Sequence, residues 1–141
     1  MRISCLAAFG IVCLGLGASA CRTAIAGHYE LDLEQTKACV AKAALDNPDD
    51  AAMKDQTLKM LEKTTVDVVL EETGKMHSTS ALTDQAPGSQ HSTGSWRAED
   101  QRVLISIEGE ADTLCAIDGR RLRCKKPKPM QLFTNYVLVR K

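Results

Sequence analysis

CAIDGRRLRC, residues 115–124, has the pattern of a tight β-hairpin with a cysteine at each end. With Gly119 and Arg120 as the central pair of a type II′ turn, Cys115 lies opposite Cys124 on one face of the hairpin. Counting outward from that turn makes the two cysteines a non-hydrogen-bonded pair, the closer kind, which favours a cross-strand disulfide. A type I′ turn that begins one residue earlier is the alternative, and it would make the pair diagonal.

The segments on both sides of this hairpin alternate in polarity, as β-strands do. Residues 102–109 place Val103, Ile105 and Ile107 on one face, and residues 135–141 can form a final strand. Upstream, the strand-like ranges are 65–72, 76–82 and 94–99, and residues 83–93 form a polar loop that contains Pro87 and Gly88. Seven or eight short strands joined by hairpin-length links predict an antiparallel meander.

The chain before this meander combines one short strand with two helices. Residues 27–31 alternate as a strand, and Asp32 then has the position of a helix N-cap. Asn47 and Pro48 mark the start of a second helix. The inward stripes of the two helices are predicted at Leu33, Val40, Ala41, Ala44 and Leu45, and at Met53, Thr57, Met60 and Leu61. The predicted fold class is α+β: an N-terminal strand, a helical hairpin, and a curved, partly closed antiparallel β-meander.

Residues 1–20 have the composition of an export signal. Arg2 precedes an uncharged, mostly apolar run that ends in Ala18-Ser19-Ala20, an A-x-A cleavage motif. Several glycines interrupt the run, and it is short for a membrane-spanning helix. The expected organisation is a signal peptide over residues 1–20, a short tether over 21–26, and a single α+β domain over 27–141.

Cys21 directly follows the cleavage motif, and two interpretations of it remain open. Residues 18–21 resemble a bacterial lipobox, which implies lipidation of Cys21 and a lipid anchor in the bacterial envelope, with the outer membrane as the expected location. Otherwise the exported chain starts at Cys21 as a periplasmic or secreted protein. In the first case Cys39 is expected as a free, buried thiol on a helix. In the second case a Cys21–Cys39 disulfide becomes available.

Composition and motif content argue against several classes of function. The chain has 18 basic and 18 acidic residues, and loss of Arg2 with the signal leaves one net negative charge, so no nucleic-acid partner is expected. The sequence lacks G-x-S-x-G, H-E-x-x-H and phosphate-binding glycine motifs. The three histidines are scattered and no C-x-x-C pair occurs, so the spacing of a metal site is missing. We expect a protein that is not an enzyme and holds no metal or cofactor.

Short motifs spread along the chain resemble those of a group of small bacterial lipoproteins. They are GHYELD at 27–32, VVLEETGKM at 68–76, GSW at 94–96, and the cysteine hairpin at 115–124. The resemblance covers nearly all of the chain after the signal peptide. It implies a lipocalin-like sheet, here a partly closed, lipocalin-like barrel.

A curved sheet of this kind can hold a small apolar ligand in its mouth or present a surface to a protein partner. Trp96, Tyr29 and Tyr136 are the candidate ligand contacts, together with Phe133, although large aromatic side chains also form cores. The expected function is a small binding module of the cell envelope, for an apolar ligand or a protein partner. The alternative is a structural or inhibitor-type envelope lipoprotein with no small-molecule ligand, for which the 83–93 loop is the candidate contact.

Overall fold

The computed structural model describes residues 18–46, 48–83, 89–125 and 135–141. Within these residues the chain forms three helices and eight β-strands. In chain order they are α1 (Ala18–Ile25), β1 (Gly27–Leu31), α2 (Leu33–Asp46), α3 (Pro48–Glu62), β2 (Thr64–Leu70), β3 (Lys75–Leu82), β4 (Gln90–Glu99), β5 (Arg102–Ile107), β6 (Thr113–Asp118), β7 (Arg121–Lys125) and β8 (Asn135–Arg140). The antiparallel meander and the helical hairpin α2–α3 are confirmed, and the fold is mostly β.

The eight strands form one closed antiparallel barrel. Each strand pairs with the next along the chain, and β1 also pairs with β8, where Tyr29 lies opposite Arg140. The sheet is therefore fully closed, whereas the sequence pattern predicted partial closure. Full closure pairs the first and last strands, which would otherwise be edges whose free backbone groups could pair with other chains.

Alternating polarity along the strands determines which side chains point into the barrel. Val68 and Leu70 on β2 and Val103 and Ile105 on β5 are buried, as their spacing predicts. The rest of the buried core cluster on the strands is formed by Tyr29, Met76, Trp96, Cys115, Leu122, Cys124 and Leu138. A slip of one residue in any strand would turn these side chains to solvent, so the hydrophobic effect selects this register.

The β6–β7 hairpin has the register and the disulfide that the sequence predicts. Gly119 and Arg120 form its two-residue turn, and Cys115 pairs directly with Cys124. Gly119 has a φ of 59°, which is the left-handed value that the first central position of a type II′ turn requires. The two cysteines form a disulfide with their Cα atoms 4.0 Å apart. The type I′ alternative is therefore wrong.

Loss of this disulfide should lower the stability of the barrel without changing its fold. The bond joins cysteines separated by 9 residues, and a loop of that size stabilises by roughly 2–3 kcal/mol through the entropy of the unfolded chain. We expect the Cys115→Ser/Cys124→Ser variant to have a free energy of unfolding in urea that is lower by about this amount. Reduced wild-type protein is the control. A variant as stable as oxidised wild type would contradict the prediction.

Successive connections alternate between the two ends of the barrel. The links after β2, β4 and β6 are short turns, at 71–74, 100–101 and 119–120. This end, where α1 also contacts β4, is here called the closed end. The links after β1, β3, β5 and β7 leave from the opposite end, here called the open end, and the first of them is the helical hairpin. The two ends therefore differ in what covers the barrel interior.

Helix α1 packs across the closed end. Ile25, its last residue, and Ala26, directly after it, are buried within the core cluster. The Tyr29 hydroxyl donates a 2.6 Å hydrogen bond to the carbonyl of Ile25, which satisfies one of the carbonyls left open at a helix C-terminus. Residues 21–26 are thus largely helical and end in buried positions, which differs from the short tether expected there.

Arg140, the last residue of β8, fastens α1 to the barrel. Its guanidinium donates a 2.8 Å hydrogen bond to the carbonyl of Ala24 and a 2.7 Å hydrogen bond to the carbonyl of Ala26. A cation at the C-terminus of a helix also interacts favourably with the helix dipole. A single side chain near the end of the sequence therefore holds the segment that precedes the first strand.

The helical hairpin packs against the outside of β8 through the first turns of α2. Thr36 is fully buried, and its hydroxyl accepts a 3.0 Å hydrogen bond from the amide of Val137. On α3, Leu61 is buried near the point where the chain enters β2. The predicted inward stripes are only partly confirmed, because Leu45 is 87% exposed and Met53 is 47% exposed. The connected ends of the two helices therefore lie in solvent.

Asp32 joins the start of α2 to β7. Its Oδ1 accepts a 3.1 Å hydrogen bond from the amide of Gln35, as predicted for an N-cap, and its Oδ2 accepts a 2.8 Å hydrogen bond from Arg121. Burial by itself would raise the pKa of this carboxyl. The hydrogen bonds from Arg121 and Gln35, together with the charges of Arg121 and Arg123, outweigh that effect and hold the pKa below its ordinary value of 3.8.

The charge of Asp32 should therefore contribute to stability in a pH-dependent way. Because its pKa is lower in the folded than in the unfolded chain, the contribution is complete well above the unfolded value and is lost as the pH falls through the folded value. We expect Asp32→Asn, which keeps a capping oxygen, to be less stable than wild type at about pH 7 and equally stable at strongly acid pH. Urea unfolding over a pH series measures this, and a difference that stays constant into acid would contradict it.

Candidate ligand cavity in the barrel

A cavity of about 220 Å³ lies inside the barrel toward its open end, and it is partly open to solvent. Inward-facing side chains of β1 to β6 and β8 form its wall. Leu61 of α3 and Glu110 of the β5–β6 turn complete the lining. The cavity thus begins where the packed core of the closed end stops.

The inner part of the cavity is apolar. Val66 and Val68 on β2, Met76 on β3, and Ile105 and Ile107 on β5 line it. Met76 is only 1% exposed and belongs to the core cluster, so these side chains form a floor that continues into the barrel core. An apolar group placed on this floor would gain roughly 25 cal/mol for each Å² of apolar surface removed from water.

One wall of the cavity is polar, and it is formed by β3 and β4. Ser78 and Ser80 on β3 and Gln90 and Ser92 on β4 line it. Ser78 pairs with Ser92, and Ser80 pairs with Gln90 across the two strands. Side chains of directly paired residues on one face have Cβ atoms about 5 Å apart. The four side chains therefore form one continuous patch, which is here called the β3–β4 polar patch.

Tyr136 on β8 lines another part of the wall, and its phenol is already paired. It forms a hydrogen bond with Thr113 on β6. Burial raises the pKa of the Tyr136 phenol, the hydrogen bond with Thr113 opposes the rise, and the charge of Glu110 adds to it. The phenol is therefore protonated throughout the physiological pH range.

The size of the cavity limits what it can hold. A dry cavity of about 150 Å³ in another protein holds benzene, and each liquid water occupies about 30 Å³. The volume of about 220 Å³ in this barrel is therefore enough for a small molecule somewhat larger than benzene. It is below the common range of roughly 300–1,000 Å³ for drug-sized ligands. A long lipid chain would not fit inside this volume.

The structure separates the aromatic residues that the sequence suggested as ligand contacts. Tyr136 lines the cavity. Tyr29 is buried toward the closed end, with its hydroxyl bound to α1. Trp96 is also buried, and its Nε1 donates a 2.8 Å hydrogen bond to the carbonyl of Glu71 in a closed-end turn. Both therefore serve as core. Phe133 lies outside the described residues.

Sequence reasoning did not identify the β3–β4 polar patch. Ser78 and Ser80 lay in a predicted strand but were not singled out, and Gln90 and Ser92 fell in the predicted 83–93 loop. The structure begins β4 at Gln90, so residues 90–93 of that predicted loop are strand. A signal was present, because Ser78 and Ser80 keep the two-residue spacing of Met76.

Three other features considered in the sequence can be compared with the described residues: the Cys39 thiol, a metal site and a membrane-spanning helix. Cys39 is a free, partly buried thiol on α2. No group of three or more His, Cys, Asp or Glu side chains in the described ranges is placed to hold a metal ion. No helix in those ranges is both long enough and apolar enough to cross a membrane.

Comparison with known proteins finds little similarity. No protein-family model matches the chain, and no curated protein sequence matches it. The crystal structure of the Cpx pathway activator NlpE from Escherichia coli is similar over part of its length, with a TM-score of 0.41 and 16% sequence identity. The match covers 48% of this chain and 39% of the NlpE chain.

Proposed function

We propose that this protein is a non-enzymatic binding protein of the bacterial cell envelope that holds a small, mainly apolar ligand in its barrel. The observation that supports the proposal is the cavity of about 220 Å³ with its apolar floor. Cores are normally packed to the density of organic crystals, and voids of this size are few in a domain. A packing role alone would not need such a space beneath a partly open mouth.

Export of the protein is supported by its residues. The apolar run before Ala18-Ser19-Ala20 has the pattern of a signal peptide. A structural disulfide between Cys115 and Cys124 is typical of an oxidising compartment. The position of Cys21 directly after the cleavage motif supports a lipid anchor, with the outer membrane as the proposed location.

Binding is tested with toluene, a soluble apolar probe close to the cavity in size. Burial of its seven carbons should contribute about 5 kcal/mol, which corresponds to a dissociation constant on the order of 0.1 mM. NMR titration of the purified protein should shift the Met76 methyl resonance, because that side chain lies on the cavity floor. Absence of saturable binding would contradict the proposal and favour a protein with no small-molecule ligand.

A matched pair of variants on β2 locates the binding site. Val66 faces the cavity, whereas Val69 faces the outside of the same strand. Val66→Phe should fill part of the cavity and weaken toluene binding at least tenfold. Val69→Phe makes the same change on the outer face and should leave the affinity unchanged. Equal affinities in the two variants would place the toluene elsewhere on the protein.

The anchor is tested separately by intact mass of the protein purified from its own envelope. A chain that begins at Cys21 and carries the added mass of a diacylglycerol is expected, with or without a third acyl chain. Reduction should add two protons, since Cys115–Cys124 is the expected disulfide and Cys39 is free. An unmodified chain that begins at Cys21 would contradict the anchor and leave a periplasmic or secreted protein.

A further inference from the structure

We propose that the cavity selects an uncharged ligand with one hydrogen-bonding group, such as a hydroxyl or an amide, on a small apolar body. This inference rests on the proposed function and names the ligand class. It follows from the arrangement of polar side chains around the apolar floor, and from the charges in the cavity wall.

The β3–β4 polar patch lies beside the apolar floor, in register with it. Val68 pairs with Ser78, and Ser78 pairs in turn with Ser92. The same order repeats one pleat further toward the open end, where Val66 pairs with Ser80. A ligand whose apolar body rests on the β2 side thus has hydroxyl groups beside it on β3 and β4.

The patch has hydrogen-bonding capacity to offer a ligand. Within the described part of the chain, four side chains form no hydrogen bond with the protein: those of Ser78, Ser80, Ser92 and Gln90. Across the cavity, by contrast, the Tyr136 phenol is paired with Thr113. A polar group that enters an apolar cavity loses its hydrogen bonds with water, and it binds well only where the protein replaces them. The polar group of the ligand therefore belongs against β3 and β4.

The charge of the lining argues for a ligand without a charge. None of the described residues that line the cavity is basic, so a carboxylate or phosphate would be buried without a counter-charge. Glu110 supplies a negative charge at the rim, which would repel such an anion. Glu110 is exposed at the rim, so an ammonium group inside the cavity would lose its hydration beside apolar side chains without a buried counter-charge. An uncharged polar group meets neither difficulty.

The test compares four probes that share one ring and differ in their substituent. Dissociation constants for toluene, benzyl alcohol, benzoate and benzylamine are measured by NMR titration, with the Met76 methyl as the reporter. A hydroxyl buried without a partner would weaken binding roughly tenfold relative to toluene. We expect instead that benzyl alcohol binds at least as tightly as toluene. It should also bind at least tenfold more tightly than benzoate or benzylamine.

A pair of double variants assigns the effect to the patch. Ser78→Ala/Ser92→Ala removes two paired hydroxyls that line the cavity and should weaken benzyl alcohol binding about tenfold, with toluene binding unchanged or tighter. The control, Thr79→Ala/Thr93→Ala, removes two hydroxyls from the outer face of the same strands and should change neither affinity. The toluene measurement also verifies that each variant keeps an intact cavity.

The outcomes separate this inference from the proposed function. If neither toluene nor benzyl alcohol binds, the proposed function fails and the inference fails with it. Suppose that toluene binds but that benzyl alcohol binds tenfold more weakly than toluene. The binding function then stands and the ligand class is overturned. The same conclusion follows if the affinity for benzyl alcohol is unchanged in the Ser78→Ala/Ser92→Ala variant. Tighter binding of benzoate or of benzylamine than of benzyl alcohol would likewise overturn it and assign a charged ligand.

Discussion

Replacement of Gly94 with alanine is expected to destabilise the barrel by about 3 kcal/mol or more. A Cβ atom at this position would lie 2.1 Å from the carbonyl oxygen of Ser106 on β5. The obstacle is the backbone of a paired strand rather than the end of a flexible side chain. Relief of the clash therefore requires that β4 and β5 move apart where Gly94 pairs with Ile107. The free energy of unfolding in urea measures the loss.

A second glycine provides the control for this prediction. Gly109, in the β5–β6 turn, has no atom within 4 Å of the position that its Cβ would occupy. Its φ of 80° is a left-handed value that asparagine tolerates well. Gly109→Asn should therefore cost less than about 1 kcal/mol. If Gly94→Ala is no more destabilising than this control, the close approach of β4 to β5 does not limit the fold.

Replacement of Trp96 with alanine is expected to cost about 4 kcal/mol, the range for large aromatic residues in cores. Trp96 is 3% exposed and packs within the core cluster. Its indole nitrogen donates to the Glu71 carbonyl, and its backbone amide donates a 2.8 Å hydrogen bond to the Gly74 carbonyl. The side chain thus fills the closed end and also fixes the β2–β3 turn. Urea unfolding again gives the measurement.

Trp96→Phe separates the packing role from a role in ligand binding. The variant keeps an aromatic ring in the core and loses the hydrogen bond to Glu71, so we expect a cost of about 1–2 kcal/mol. Trp96 does not line the cavity. The affinity for toluene should therefore be unchanged in Trp96→Phe, and a tenfold loss would return Trp96 to the set of ligand contacts.

Most of the barrel could be predicted because its strands obey a simple physical rule. Where one face of a strand is buried in a core and the other is in water, apolar residues recur with period two. Val103, Ile105 and Ile107 follow this rule, and so do the cysteines of the β6–β7 hairpin, whose turn also fixed their register. Complete closure could not be predicted, because β1 pairs with β8 through residues far apart in sequence.

The candidate site was missed for a reason that follows from its chemistry. Ser92 and Gln90 point inward but are polar, so the alternation that marks a strand disappears where the strand borders a cavity. The same residues therefore resemble a solvent-exposed loop. Tyr136 was found because an aromatic residue stands out in any pattern, whereas a serine does not. A cavity with a polar wall is thus difficult to recognise from period two alone.

The barrel closes only when its first and last segments come together, and this has a consequence for the order of folding. The hydrogen bond from Arg140 to the Ala26 carbonyl spans 114 residues. Ala26 therefore leaves a ribosome or an export channel long before Arg140 does. Contacts of such high sequence separation are slow to form, since most of the chain entropy is lost before they can stabilise anything. The barrel can be completed only after β8 has emerged. A chain that crosses a membrane unfolded and folds on the far side meets that condition, because all eight strands are then present together.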